Sequence, residues 1–382
     1  MTAREKILSK ALVTSGLSSA EIDRLLAGLK DRAFFSARCE SVRHLQTAQA
    51  QVADWLGSAK RADGAFTTRA SAVSAIMESA RRQGLSTGTG TVADPASAAR
   101  AKVIVDTNAD LARGHVARVQ GASTGARLAF PAQELIRAEE RQARRDWRGR
   151  WTAAGGQLHA GRMIALKEDP VWIAISRFGV PYPPFDYGSG MGVADVDRDT
   201  CLRLGVIKDD YRPEGDLIED FNATLEAQME FKGAADPGWR FLKDSFGDQV
   251  KYDDGKIRWQ ADIIKDALSN PADIHVGVSP MPEFKGRKLT VPKSDFEHLL
   301  IRHVGYKGKP PESSRLTERE LQMLPSVWRH PDRVIPQGGT THWVEYDSAD
   351  GSVYRIVTDV YPSEVSFRTF YKPDIKQEKK GA

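Results

Sequence analysis

At 382 residues, 41% hydrophobic and 28% charged, the chain has the length for two or three globular domains of ordinary composition. Its two cysteines, Cys39 and Cys201, exclude a disulfide framework and an all-cysteine zinc site, and both read as reduced, buried small hydrophobes. The net charge of +4 hides blocks: seven Arg against three acids over 137–162, 15 acids against six basic residues over 168–236, and 11 basic against six acidic residues over 285–333. Such blocks predict separate surfaces for separate partners.

The N-terminus lacks the apolar core of a signal peptide and no run is long enough to span a membrane, so no membrane partner is expected. Residues 1–30 read as helical with a break at Ser15 and Gly16, and Ile22, Leu25, Leu26 and Leu29 follow the helical period. A long helix is expected over 34–57 and a second over 70–83. The Gly, Thr, Ser and Pro of 84–97 read as a mobile loop. Its TGTGT run has neither the Lys-Ser/Thr ending nor the preceding strand of a phosphate-binding loop, so no nucleotide role is assigned. Residues 99–120 are helical, and Asp106 and Asn108 within them read as structural, since no base, nucleophile or ligand set accompanies them. Residues 136–151 read as an arginine-rich helix with Arg137, Arg141, Arg144, Arg145 and Arg148 along one side. That side is either a solvated face or a surface for packaged DNA or an acidic protein, because guanidinium suits phosphate and carboxylate alike. A short buried strand is expected at 163–166.

The stretch 169–205 organises the first half. Trp172, Phe178, Tyr182, Phe185 and Tyr187 alternate with Pro170, Pro181, Pro183 and Pro184. Prolines this dense exclude regular helix, while the aromatic surface is costly to leave in water, so an ordered, buried loop is predicted. A helix is expected over 195–204, with Gly205 past its end. The run DYGSGMGVADVDRDTCLRLGVI in this stretch, with FFSAR at 34–38 and VIVDTNADLARGH at 103–115, resembles the core of minor head morphogenesis proteins of tailed bacteriophages, of the Mu F-like type. The resemblance covers roughly residues 32–207, about half the chain. A Cys/His-rich stretch that many relatives carry near this point is missing. The resemblance implies binding to phage portal and major capsid proteins during virion assembly, and a place in the phage head and the host bacterial cytoplasm.

Residues 208–286 read as a connecting segment with modest structure, including a small hairpin over 246–259. The last domain, 287–382, reads as compact α+β. Capping boxes at Ser294/Glu297 and Thr317/Glu320 open two helices, and strands at 341–346, 352–361 and 365–372 form an antiparallel sheet. The whole is thus a multidomain α+β protein: a mostly helical minor head domain (1–207), a connector, and an α+β domain.

Four of the eight histidines, His298, His303, His330 and His342, fall in that last domain. His298 and His303 are five apart, a poor spacing for a metal pair on a helix, so no metal or other cofactor is assigned. Metal-independent cleavage of RNA is the chemistry these residues suit: one group takes the ribose 2′-OH proton, another protonates the leaving oxygen, and cations stabilise the phosphorane. The assigned catalytic set is His298, His303, Arg333, Ser366 and Thr369, with Arg329, Arg368 and Lys372 for the substrate phosphates. FEHLLIRHV, WRHPDRVI and VSFRTFYK also resemble phage-associated barnase, EndoU, colicin and RelE-like nucleases over 288–372. That resemblance implies an appended endoribonuclease. Two other readings stay open: a nuclease toxin whose first half is a delivery module, and a purely structural virion protein with an inactive C-terminal binding domain.

Overall fold

The structure is a computed structural model that describes residues 1–18, 22, 33–140, 144–217, 225–228, 239, 243–244, 246–253, 256–259, 272–279, 281–284, 286–300, 316–348 and 351–373. It is α+β, with helices dominant in the first half and a large sheet in the second. Contacts divide it into two units: Met1–Lys10, Leu26–Asp31 and Ala48–Phe221 in the first, Ala11–Leu25, Arg32–Thr47 and Asn222–Ala382 in the second.

In the first unit the helices Ala3–Leu8 and Arg69–Arg82 pack on the 23-residue helix Ala98–Gln120. Each begins where a hydroxyl takes an orphan amide. Thr2 and Glu5, and Thr68 and Ser71, form capping boxes, and the Ser97 hydroxyl accepts from the Arg100 amide at 3.0 Å. The loop read as mobile is tied together by a buried carboxylate. Asp94 accepts from the amides of Thr87, Gly90 and Ala96 at 3.1, 3.2 and 3.0 Å. These bonds hold its carboxyl below the usual range although burial alone would raise it.

A four-stranded antiparallel sheet follows, in the spatial order Leu158–His159, Arg162–Leu166, Ala132–Arg137 and Met191–Val196. Two expectations are corrected here. The arginine-rich stretch is not one helix: Arg137 ends a strand, and a helix starts only at Trp147, capped by Asp146. Trp147 and Trp151, one turn apart, both enter the core and fix where that helix lies. Likewise 195–204 is split, with Met191–Val196 paired to Ala132–Arg137 before Asp197 caps the helix Arg198–Arg203. The strand expected at 163–166 is present as Arg162–Leu166.

The aromatic loop is ordered and buried. Trp172, fully buried, meets Trp151 edge-on at 5.2 Å and stacks on Phe185 at 5.9 Å. Its indole N–H donates to the Leu166 carbonyl at 2.8 Å, so the polar handle is satisfied inside the core. Cys201 is also buried, which pushes its thiol up to about 11.

In the second unit a six-stranded sheet runs in the order Ile274–Val278, Lys288–Val291, Glu364–Tyr371, Val353–Val360, Thr341–Asp347, Arg333–Gly338. All neighbours are antiparallel except Lys288–Val291 with Glu364–Tyr371, so the sheet is mixed where an antiparallel one was expected. Three expected strands are joined by three others at 274–278, 288–291 and 333–338. One face carries the core: Tyr354 lies between Tyr346 and Phe370, and Trp328 packs edge-on to Phe367.

The helix Lys293–Leu299 packs on the last strand, but Ser294 does not cap it. Instead the Lys293 amide donates to Asp273 at 3.0 Å, which leaves Ser294 inside the first turn. The Thr317/Glu320 box is present, with reciprocal bonds of 3.2 and 2.7 Å. The expected hairpin is present as Val250–Asp253 paired with Lys256–Trp259, and Leu225–Gln228 adds a third strand. The long helix expected from 34 begins at Val42, after the two-residue strand Ala33–Phe34 pairs in parallel with Ala11–Leu12. Of the apolar stripe over 22–29, Leu25, Leu26 and Leu29 lie outside the described residues.

Candidate functional site

Two places gather polar side chains, one in each unit. In the first, a cleft of about 300 Å³ is lined by Asp110, Arg113 and Arg118 from the long helix and by Tyr182, Ser189 and Met191 from the aromatic loop and its exit. Gly114 lets the helix approach: a methyl group there would stand 2.5 Å from the Pro183 carbonyl oxygen. The next residue, His115, meets the Tyr182 ring edge-on at 5.6 Å. The stretches 103–115 and 186–207 meet at this cleft, which Asp110, Arg113 and Gly114 line from one and Ser189, Met191 and Val193 from the other. Asp106 pairs with Arg69 through two bonds of 2.5 Å, and Asn108 donates to the Ile104 carbonyl at 2.9 Å, which are structural roles.

Beyond the cleft, Asp186 gathers arginines from separate elements. Its Oδ2 lies 3.0 Å from Arg150 and 3.3 Å from Arg145, and its Oδ1 lies 3.5 Å from Arg177. Asp186 is nearly buried, whereas Arg145, Arg150 and Arg177 are 46, 32 and 44% exposed.

In the second unit the expected nuclease residues are only partly brought together. His303 lies outside the described residues. His298 is exposed on the helix Lys293–Leu299. Arg333 opens the edge strand and is bound by both Asp347 oxygens at 2.7 Å and by Glu345 at 3.0 Å, which raises its pKa. Arg368 is 2.7 Å from Asp359 and 3.7 Å from Asp295, one turn before His298. Hydrogen bonds from Thr341 and Arg368 outweigh burial and keep the Asp359 carboxyl below its ordinary range.

Lys372 is 2.5 Å from Glu320. Ser366 is buried opposite Asp359, with its carbonyl accepting from the Thr358 hydroxyl at 2.6 Å. Thr369 is half-buried opposite Val357. Arg329 is turned inward: its Nε donates to the Val278 carbonyl at 3.0 Å, and burial pushes its pKa down to about 10. Its side chain is half-buried and bonded to the strand Ile274–Val278. Burial, followed by the neighbouring Arg329, pushes His330 down to about 4. Among the described residues no three His, Cys, Asp or Glu side chains converge as a metal ion would require, and no helix is long and apolar enough to cross a membrane.

Two residues of this face escaped the sequence reading. Glu345 stands in the middle of a ladder across three strands, 3.0 Å from Arg333 and 2.9 Å from the Nε of Arg355. Arg355 in turn lies 3.7 Å above the Trp343 ring. Glu345 and Arg355 are both buried, so the ladder is a carboxylate flanked by two guanidiniums in partly dry surroundings. Alternation of side chains places Glu345 on one sheet face, but its partners depend on register, which sequence spacing alone does not give.

Comparison of the chain with protein-family models, with curated proteins and with solved structures finds no match.

Proposed function

We propose that this is a virion-assembly protein of the minor head type, whose first unit binds portal and capsid subunits. The observation that supports this reading is the cleft that Asp110, Arg113 and Gly114 line from 103–115 and Ser189, Met191 and Val193 line from 186–207. The two longest stretches of the resemblance thereby meet in one feature. The test is genetic: removing 1–207 while expressing the rest should leave no mature heads, or heads that lack the protein. Normal infectious particles would favour the toxin reading.

For the second unit the reading is an appended ribonuclease acting through Glu345 and the flanking Arg333 and Arg355. The carboxylate accepts the 2′-OH proton, the guanidiniums neutralise the phosphorane, and water protonates the leaving oxygen. A binding module is the second reading. It is favoured by the carboxylates that already hold Arg333, Arg368 and Lys372 at 2.5–3.0 Å. The full chain incubated with RNA in EDTA separates the two. Cleavage lost in Glu345→Gln supports the nuclease, and intact RNA supports the binding module.

A further inference from the structure

The strand Met191–Val196 lies at one end of its sheet and is paired on one side only, with Ala132–Arg137. The Gly190 carbonyl accepts from the Ala138 amide at 2.9 Å, which fixes the phase of that ladder. Hydrogen-bonded residues alternate along an antiparallel pair, so Gly192, Ala194 and Val196 turn their backbone groups toward Ala132–Arg137. Met191, Val193 and Asp195 turn theirs the other way. The Met191 amide is taken by the Ser189 hydroxyl at 3.1 Å. Among the described residues, the Met191 carbonyl, both backbone groups of Val193 and the Asp195 amide have no partner.

An edge with open backbone groups is a template for another strand, and proteins usually blunt it. The six-stranded sheet does so at both ends: Arg333–Gly338 carries Pro336 and a register shift, and Ile274–Val278 is shifted after His275. Met191–Val196 has no proline, and its register is unbroken. Its one charged side chain, Asp195, is occupied by Lys167 at 3.0 Å and Gln133 at 3.1 Å. Residues 189–193 line the cleft in unbroken succession, so backbone as well as side chains border it. Gly114, Ala117, Tyr182, Pro183 and Pro184 add an apolar wall. The charged lining is balanced, Asp110 and Glu139 against Arg113 and Arg118, and so selects neither an anion nor a cation. A space of about 300 Å³ admits a few side chains and excludes a folded domain.

We propose that the edge of Met191–Val196 and this cleft bind an extended segment of a partner protein, uncharged and with small or apolar side chains at alternate positions. The segment adds as a further strand. Its amides and carbonyls meet those of Met191, Val193 and Asp195, whose alternate spacing an extended chain repeats, and every second side chain enters the cleft. The proposal deepens the assembly reading by giving the mode of capture, and rests on that reading only for the partner's identity.

The test selects a displayed library of random peptides, about eight residues long, on the full chain. Ala117→Trp, at an exposed position of the long helix, fills the cleft and serves for counter-selection. Uncharged peptides should be enriched on the parent and bind Ala117→Trp roughly tenfold more weakly. Val193→Pro removes an outward amide without touching the ladder to Ala132–Arg137, and should weaken the best peptide several-fold. Methylating that peptide's amide nitrogens at every second position should abolish binding in one phase and spare it in the other. This last comparison uses the unaltered protein, so it holds whatever the substitutions do to the fold. Failure to enrich any peptide over Ala117→Trp overturns the proposal, as does equal loss, or no loss, in the two methylated phases. Enrichment of strongly acidic or basic peptides overturns the choice of occupant. None of these results bears on the genetic test of head assembly, so each reading can fail alone.

Discussion

Arg43 and Asp347, 304 residues apart, are joined twice: the Arg43 Nε donates to the Asp347 carbonyl at 2.7 Å, and its NH2 lies 3.1 Å from the carboxylate. Arg43 also reaches Asp332 at 3.1 Å, while Gln46, one turn on, accepts from the Tyr346 hydroxyl at 2.6 Å. The segment Arg32–Thr47 is therefore a working part of the sheet unit. A fragment of 288–382 should be unstable without it. Arg43→Ala in the full chain should cost roughly 1–2 kcal/mol, since the pair is half-exposed but shared among several acceptors. Chemical denaturation followed by Tyr and Trp fluorescence measures both, and a cooperative transition in the isolated fragment would refute the first.

Trp172→Ala should destabilise the first unit by roughly 3–5 kcal/mol, because it leaves a cavity between Trp151 and Phe185 and orphans the Leu166 carbonyl. An unchanged melting temperature would count against the loop's role as core.

Two glycines in helices should respond with opposite signs. Gly114→Ala drives a methyl group against the Pro183 carbonyl and should lower stability by roughly 1–3 kcal/mol. Gly125→Ala, where a methyl group meets nothing within 4 Å, should raise it by roughly 0.5–1 kcal/mol through helix propensity. Paired urea titrations give the signs directly.

His330 makes the second unit sensitive to mild acid. Its pKa falls from 6.5 in the unfolded chain to about 4 in the fold, chiefly through burial. Between those values the unfolded chain binds the proton and the folded one does not. Stability is thus fully present above about 6.5 and should decline by roughly 2–3 kcal/mol as pH drops toward 4. Denaturant midpoints at pH 7 and pH 4.5 should differ, and His330→Asn should shrink the difference; equal slopes in both proteins would exclude His330 as its source.

What could be read from the chain alone follows from the range of the forces involved. The helix Arg69–Arg82, the helix Ala98–Gln120 and the strands around Val344, Ile356 and Phe367 announce themselves by local period, and local period decides them. The strand Lys288–Val291 does not, because four residues pairing in parallel with Glu364–Tyr371 have meaning only once that strand is beside them. The same limit applies to charge. Arg333, Arg368 and Lys372 were found as cations, but Asp347, Asp359 and Glu320, which hold them, are partners only in space. Asp186 likewise looked like one more acid in a loop until Arg145, Arg150 and Arg177 were seen around it.

The bond between Arg43 and Asp347 also sets a timetable for synthesis. Most of the first unit lies in one continuous stretch, Ala48–Phe221, and can close as soon as that stretch leaves the ribosome. The segment Arg32–Thr47 leaves earlier, yet Asp347, which Arg43 holds, follows it by 304 residues. Until those residues are made, Arg43 and Gln46 lack Asp347 and Tyr346, their partners in the finished protein. Throughout that interval a segment that also carries Phe34, Val42 and Leu45, all buried in the finished protein, waits for the rest of its unit, and a chaperone can recognise it there.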